Sequence, residues 1–276
     1  VRGVVFLAKI LNLKLGVKPG RVKSVEESLE LASECERLGF DSFCLEDHMV
    51  YVTKGFAPHI MSLCAVISVK TSKIKLYVIT DPHRINPAVL AQQLATIDNL
   101  SGGGRLILCL GAGEAMNLTP FNIRWDKPVS RLVEVIQLLR RFWTSEAPFD
   151  YDGQFFKMRK AYIEIKPKGT IPVHIAANRP RTRKITAEIG DGWVPVTRPP
   201  SLYAKQVEEI DEFAVKAGRK PESVERSLYL ITSMDRDREA AYKAIEPIRH
   251  ALIWFNVLAE AGYDVRIPEK YKGLDY

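Results

Sequence analysis

Apolar positions along this chain switch repeatedly between two periods. Short runs that are continuously apolar, or alternate with polar residues, give way to stretches in which apolar residues return every three or four places, and the cycle repeats. Residues 13–17 form the first strand-like run, with Lys18-Pro19-Gly20 as its turn. Ser24 then opens a helix as N-cap with Glu27 three residues on; Val25, Leu29, Ala32 and Leu38 recur near helical spacing, and Gly39 closes it. A strand at 41–46 precedes a helix at 58–70, and a strand at 74–79 precedes a helix that starts at Pro87. Leu90, Leu94, Ile97 and Leu100 make one apolar face of that helix, and Ser101-Gly102-Gly103-Gly104 ends it. The continuously apolar run 106–110 reads as a strand buried on both sides, followed by a helix over 129–143. After a hairpin around Asp152-Gly153 the series resumes. A strand at 171–176 is paired with a helix at 181–189, one at 193–196 with a helix at 201–217, and one at 227–232 with a long helix over 239–261.

Seven β-then-α units in order predict an α/β protein of the (β/α)8 TIM-barrel-like class, incomplete at seven recognisable units, because parallel neighbours need crossover helices. Residues 263–276 are polar and irregular and supply no eighth strand. No linker or low-complexity tract divides the chain, so the expectation is one domain over 1–276 with its C-terminal unit missing. A seven-stranded parallel sheet leaves unpaired edges. The surplus apolar run at 4–11 could supply a strand, or a second subunit could cover the gap; the expectation is a homodimer with that run packed against the body.

Composition narrows the class. The 276 residues are 46% hydrophobic and 26% charged, the profile of a folded globular chain. A net charge of +7 favours anionic partners, but the basic residues are scattered, so a small-molecule substrate is expected and nucleic acid is not. Cys35, Cys44, Cys64 and Cys109 are widely spaced without a CxxC pair and read as buried thiols of a cytoplasmic protein, with no metal site. No run approaches the roughly 18 apolar residues of a membrane span. The opening VRGVVFLAKIL is short, is interrupted by Lys9 and lacks a small-residue cleavage site, so it is not read as a signal peptide.

In barrels of this class the working residues occupy strand ends and the loops that follow. After the second strand stands Glu46-Asp47-His48, after the third Thr80-Asp81-Pro82-His83-Arg84, after the fourth Gly111-Ala112-Gly113-Glu114, and after the fifth Ala177-Asn178-Arg179-Pro180. His48, directly after a strand and beside two carboxylates, suits a proton donor or acceptor near neutral pH, and equally a hydrogen-bonded histidine at a strand end. Glu114 lies behind small residues that let a planar ligand reach the backbone; a proton relay and an ion pair at the barrel rim both fit it. Gly-Ala-Gly-Glu lacks the further glycine of a dinucleotide fingerprint. Asn178, Arg179 and the amides opening the next helix make an anion cradle or a solvated loop. Cys109 and the tryptophans Trp125, Trp143, Trp193 and Trp254 read as packing.

The segments Leu13-Lys14-Leu15-Gly16-Val17-Lys18, Leu45-Glu46-Asp47-His48, Val78-Ile79-Thr80-Asp81-Pro82, Gly111-Ala112-Gly113-Glu114-Ala115-Met116-Asn117 and Arg131-Leu132-Val133-Glu134 together resemble the luciferase-like TIM-barrel superfamily. Within it they are similar to the branch that uses the deazaflavin coenzyme F-420: secondary alcohol dehydrogenases, sugar-phosphate dehydrogenases and methylene-tetrahydromethanopterin reductases. The resemblance implies an oxidoreductase that moves a hydride between coenzyme F-420 and a small organic substrate, methylene-tetrahydromethanopterin or a compound of the alcohol or aldehyde type. It implies that His48 binds or protonates substrate oxygen and that Glu114 relays protons near the ring. Asp47 and Thr80 would contact the coenzyme, Gly111, Ala112 and Gly113 would lie along it, and Ala177, Asn178 and Arg179 would hold its phosphate. A non-proline cis peptide would fall at Val78-Ile79, at a cost of about 3–4 kcal/mol, and shape a wall behind the ring. The alternatives are an FMN-dependent monooxygenase of the same superfamily and a truncated, non-catalytic flavin-binding relative. Dehydrogenases of the branch carry a tryptophan shortly after the histidine and a glutamate soon after the first strand. This chain has Met49-Val50-Tyr51-Val52 and Pro19-Gly20-Arg21-Val22 there, which leaves the substrate open.

Overall fold

A computed structural model describes residues 2–20, 22–51 and 55–246. The chain divides into two compact units, residues 1–174 and 175–276. The first contains α1 (Arg2–Ile10), β1 (Gly16–Val17), α2 (Val25–Leu38), β2 (Ser42–Glu46), α3 (Ile60–Lys70), β3 (Lys75–Thr80), α4 (Pro87–Leu100), β4 (Leu106–Leu110) and α5 (Pro128–Thr144). An antiparallel hairpin of β5 (Phe149–Asp152) and β6 (Lys157–Ala161) follows, and then β7 (Val173–Ile175), in which the division falls.

Strands β1 to β4 lie side by side in chain order, each parallel to the next, and the N–H of Leu108 donates to the carbonyl of Pro172 at 2.9 Å where the chain enters β7. Strand alternation sorts the side chains into two sets. Phe43, Leu45, Leu76, Val78, Leu106, Leu108 and Leu110, all 5% exposed or less, form the apolar layer under the crossover helices. The opposite face carries Cys44, Glu46, Tyr77, Ile79, Ile107 and Cys109, and there the Tyr77 hydroxyl meets Nδ1 of His174 at 2.8 Å. The helices start and stop where local chemistry dictates. The Ser24 hydroxyl caps α2 at the N–H of Glu27, and Gly39, at φ +86°, turns the chain out of it; Pro87 occupies the first turn of α4 behind an Asn86 cap.

The opposite end of the strands is tied by side chains. The Arg105 guanidinium, 6% exposed, donates to the carbonyls of Ser68, Thr71 and Ile74 at 3.0, 2.8 and 3.1 Å. The Glu36 carboxylate accepts from the N–H groups of Ser72, Lys73 and Ile74.

The second unit adds α6 (Pro180–Ile189), β8 (Gly192–Trp193), α7 (Pro200–Lys216), β9 (Glu225–Arg226) and α8 (Arg238–Ile245) to the end of β7. Val194 N–H donates to Ile175 C=O at 3.0 Å, and β8 pairs with β9 in parallel. Trp193 is fully buried, stacked on Tyr203, and its indole N–H donates to Ala177 C=O. Arg183 joins α6 to Glu209 of α7 at 2.7 Å. Seven strands in this βα order form the incomplete, α/β TIM-barrel-like sheet that the sequence pattern implies.

Four expectations need correction. The run at 4–11 is the helix α1 and not a strand, with Val5 and Ala8 turned inward while Phe6, Leu7 and Ile10 face out; the expectation that it packs against the body holds for that inner face. The expected strand at 13–17 is regular only at Gly16–Val17, because the Leu15 N–H is taken by the Asp41 side chain. The strand expected at 193–196 is regular only in β8, at Gly192–Trp193, and the one expected at 227–232 falls earlier in the chain, at β9, with one further bridge between Val196 and Tyr229. Pro195 lies between β8 and that bridge and has no N–H to return to the ladder. The Val78-Ile79 peptide is not cis, since no described peptide is; both residues sit in regular ladders with β2 and β4, which the trans form alone satisfies without the cost of a cis bond. The helix expected over 239–261 is seen as α8 as far as Ile245; Trp254 and residues 263–276 lie outside the described residues.

Replacing Arg105 by Met removes one guanidinium from three buried carbonyls, and a buried acceptor left unpaired costs about 1–3 kcal/mol. Urea denaturation of Arg105→Met is expected to show a loss of at least about 2 kcal/mol with an unchanged slope. A midpoint equal to the wild type contradicts this bracing role.

Candidate active site

The parallel ladders of β2, β3 and β4 release their chains at one level. Glu46 pairs with Ile79 and Ile79 with Cys109; one step on, Asp47 N–H donates to Ile79 C=O at 2.9 Å and Gly111 N–H to Thr80 C=O at 3.0 Å. The loops after these strands therefore start together at the C-terminal edge of the sheet.

His48 and Glu114 meet there. Nε2 of His48 lies 3.7 Å from Oε2 of Glu114, and its Nδ1 lies 3.8 Å from Oε2 of Glu46. The His48 side chain is 19% exposed and Glu114 is 46% exposed, so the histidine is the enclosed partner and the glutamate the one water reaches. Lys18, just past β1, holds the Glu46 carboxylate at 2.7 Å, and the Tyr51 ring packs on His48 with centroids 5.0 Å apart. Asn117, fully buried, joins the two loops: its Oδ1 accepts from the N–H groups of Met49 and Val50 at 2.8 and 3.0 Å, and its Nδ2 donates to Glu114 at 3.2 Å.

Asp47 and Thr80 belong to a different cluster. Thr80 Oγ1 donates to Asp47 Oδ2 at 2.7 Å, Arg84 Nη1 reaches Asp47 Oδ1 at 3.2 Å, and Arg84 Nε reaches Asp81 Oδ2 at 2.7 Å. All four side chains are less than 10% exposed, so their polar groups are spent on one another. Val78 is fully buried in the layer under the helices, whereas Ile79, next in the strand, is partly exposed on the Glu46 face. Gly111, Ala112 and Gly113 are partly exposed; Gly113 takes φ +81°, and a Cβ there would stand 3.1–3.3 Å from Leu118, Asp81 and His83. Ala112 C=O accepts from the Trp125 indole.

In the second unit Ala177 is fully buried, and the Asn178 side-chain oxygen accepts from Val196 N–H and from Arg198 at 2.8 Å. Arg179 N–H donates to the Thr182 hydroxyl at the start of α6. Among the described residues no three His, Cys, Asp or Glu side chains group as metal ligands, and no helix is long and apolar enough to cross a membrane. None of the four cysteines is in a disulfide.

Sequence reasoning singled out His48 and Glu114 and gave no part to Asn117, Lys18 or Arg84. An asparagine three residues after a glutamate is an ordinary turn pattern. Only the fold shows that this one is fully buried and bonded to the loop after another strand.

The family model described as luciferase-like monooxygenase matches residues 6–273. The chain belongs to this family. A 5,10-methylenetetrahydromethanopterin reductase of Archaeoglobus fulgidus is 33% identical over 210 residues, 76% of this chain and 60% of that relative, so the chain spans about 60% of that relative's length. An F-420-dependent glucose-6-phosphate dehydrogenase of Nocardia farcinica is 34% identical over 242 residues, 83% of this chain and 71% of the relative. Among solved structures, an F-420-dependent secondary alcohol dehydrogenase in complex with an F-420–acetone adduct superposes with a TM-score of 0.79 at 27% identity, covering 93% of this chain and 79% of that one. These relatives bear out the resemblance read from the motifs.

His83, beside the site, links it to pH. Burial pushes its imidazole below the ordinary 6.5, with Asp81 opposing and Arg131 adding to the fall. The unfolded chain thus takes up this proton at a higher pH than the folded one, so the contribution to stability is present above 6.5 and is lost as pH drops below it. The difference in urea midpoint between wild type and His83→Gln is expected to narrow from pH 7.5 to pH 5.5; parallel curves contradict the burial.

Proposed function

We propose that this chain is a coenzyme F-420-dependent oxidoreductase, acting on a small organic substrate with His48 and Glu114 at the reacting centre. The observation that carries the reading is the His48–Glu114 pair, 3.7 Å apart, with the partly exposed residues Gly111, Ala112 and Gly113 leading into Glu114. That strip presents small residues and Ile79 next to an imidazole and a solvent-reaching carboxylate, which fits a flat, uncharged ring with a reacting carbon near its edge. The bound deazaflavin supplies or accepts a hydride.

The chain's own residues handle the proton. In oxidation of an alcohol, Nε2 of His48 takes the hydroxyl proton as the carbon gives up its hydride; in reduction of a carbonyl, it returns the proton to oxygen. Glu114, more exposed and held by Asn117, passes that proton to or from water. Ile79 and the Gly111–Gly113 strip would form the floor under the ring. The Asp47–Thr80–Arg84–Asp81 cluster acts by fixing the loops, and Asp47 and Thr80 would border the coenzyme from there. Ala177, Asn178 and Arg179 remain our candidates for the coenzyme's phosphate, through the backbone and the Arg179 guanidinium, since the Asn178 oxygen is already bonded within its own unit. We read residues 1–276 as one functional domain of a cytoplasmic homodimer.

Anaerobic titration with F-420 and with FMN, followed by absorbance, tests the cofactor. Saturable F-420 binding and its reduction by substrate are expected, whereas tight FMN binding with oxygen consumption supports the monooxygenase reading instead. His48→Gln is expected to lower turnover by about 10²-fold or more while F-420 binding is kept. Equal loss of both makes His48 structural. Glu114→Gln is expected to change the pH dependence of turnover, and light scattering is expected to give twice the chain mass.

A further inference from the structure

Glu46 takes no part in moving the proton, yet its carboxylate stands beside the enclosed nitrogen of His48. The two residues flank the end of β2 at positions two apart, and His48 N–H donates to Glu46 C=O at 3.0 Å, which brings both side chains to one side of the strand end. Nδ1 of His48 is shut off from solvent and has no hydrogen-bond partner, with Oε2 of Glu46 3.8 Å away. Lys18 holds that same oxygen at 2.7 Å. The Tyr51 ring covers the imidazole, and Lys18 in turn lies 5.4 Å from the Tyr51 centroid. Nε2 points the other way, to Glu114 on the water side. Asp47, the remaining carboxylate nearby, is engaged by Thr80 and Arg84.

A neutral imidazole carries one hydrogen, and the nitrogen that keeps it is the one with a fixed acceptor. We propose that Glu46 is a positioning residue for His48: its carboxylate, held by Lys18, fixes the permanent proton on Nδ1, so that Nε2 is the atom that takes up and releases the exchangeable one. The alternative acceptor, Glu114, is more than twice as exposed and shares its oxygen with Asn117, so it holds Nε2–H less firmly. Closing the 3.8 Å gap to a hydrogen bond needs a shift of about 1 Å, within the reach of small side-chain rotations at the strand end. A carboxylate behind a proton-transferring histidine orients the ring and stabilises its charged form without touching substrate. The inference rests on the proposed role of His48 in proton transfer.

The test reads the tautomer directly. In 15N-histidine-labelled full chain without coenzyme, with His48→Gln used to assign the signals, His48 is expected to be mainly the Nδ1–H form at a pH where the ring is neutral. Glu46→Met, which keeps the length and removes the acceptor, is expected to swing it to the Nε2–H form, and Glu46→Gln, which keeps an acceptor, to restore part of the balance. With coenzyme and substrate, Glu46→Met is expected to lower kcat by about 10–100-fold with KM within about threefold, Glu46→Gln lying between. Should Glu46→Met fail to fold, Lys18→Met reads the same device, because without Lys18 the carboxylate loses the contact that keeps it aligned beside Nδ1. An Nε2–H majority in the wild type, or a tautomer indifferent to Glu46 and Lys18, overturns the proposal. If the tautomer responds as expected and His48→Gln still turns over normally, the placement of Glu46 stands and the reading of His48 as proton donor is what fails.

Discussion

The parallel register of β2, β3 and β4 is the constraint on which the rest of this structure depends. Its apolar face, with Phe43, Leu76, Val78 and Leu108 fully buried, fixes that register, since a slip of one residue would turn every one of these side chains out of the layer. Once the register is set, the chain leaves three neighbouring strands at one level, and residues 48 and 114 come together although they are far apart in sequence. The Asp47–Thr80–Arg84–Asp81 cluster then holds the exits. Burying these charges is costly, and such clusters are weak contributors to net stability. What this one supplies is definition, because Arg84 has acceptors on two loops and each carboxylate has its donors.

The face opposite the helices is polar where an ordinary core would be apolar. Cys44, Glu46, Tyr77, Cys109 and His174 share it, and Tyr77 and His174 satisfy each other. Burial pushes the thiols up, Cys35 to about 11 and Cys64 to about 12, with Glu34 adding at Cys35 and Arg105 opposing at Cys64; Cys44 moves the same way, with Cys109 and Glu46 adding to burial and Lys18 opposing. Cys35 and Cys64 lie in α2 and α3, so of these three only Cys44 belongs to this face, and it stays protonated at neutral pH.

Much of this was legible in the sequence, and the reasons for the rest are physical. The helix caps at Ser24, Gly39 and Pro87 and the strand at Leu106–Leu110 followed from local chemistry, which the structure keeps. The short strands β1 and β8 did not, because a side chain of Asp41 and a proline at 195 limit them, and neither shows in an apolar pattern; β9 lies ahead of the apolar run that was expected to form it. The apolar run at 4–11 has both a strand's composition and a helix's spacing, and only its neighbours select the helix. Motifs after strands marked His48 and Glu114. They could not mark Asn117 or Lys18, whose importance comes from contacts across 67 and 28 residues of sequence.

The central claim is that His48 and Glu114 form one site. A double-mutant cycle measures it most directly: turnover of wild type, His48→Gln, Glu114→Gln and the double variant with F-420 and substrate. Residues in one proton path are coupled, so the account predicts that the double variant loses much less than the sum of the single losses, a coupling of at least about 1 kcal/mol. Losses that add independently would contradict it.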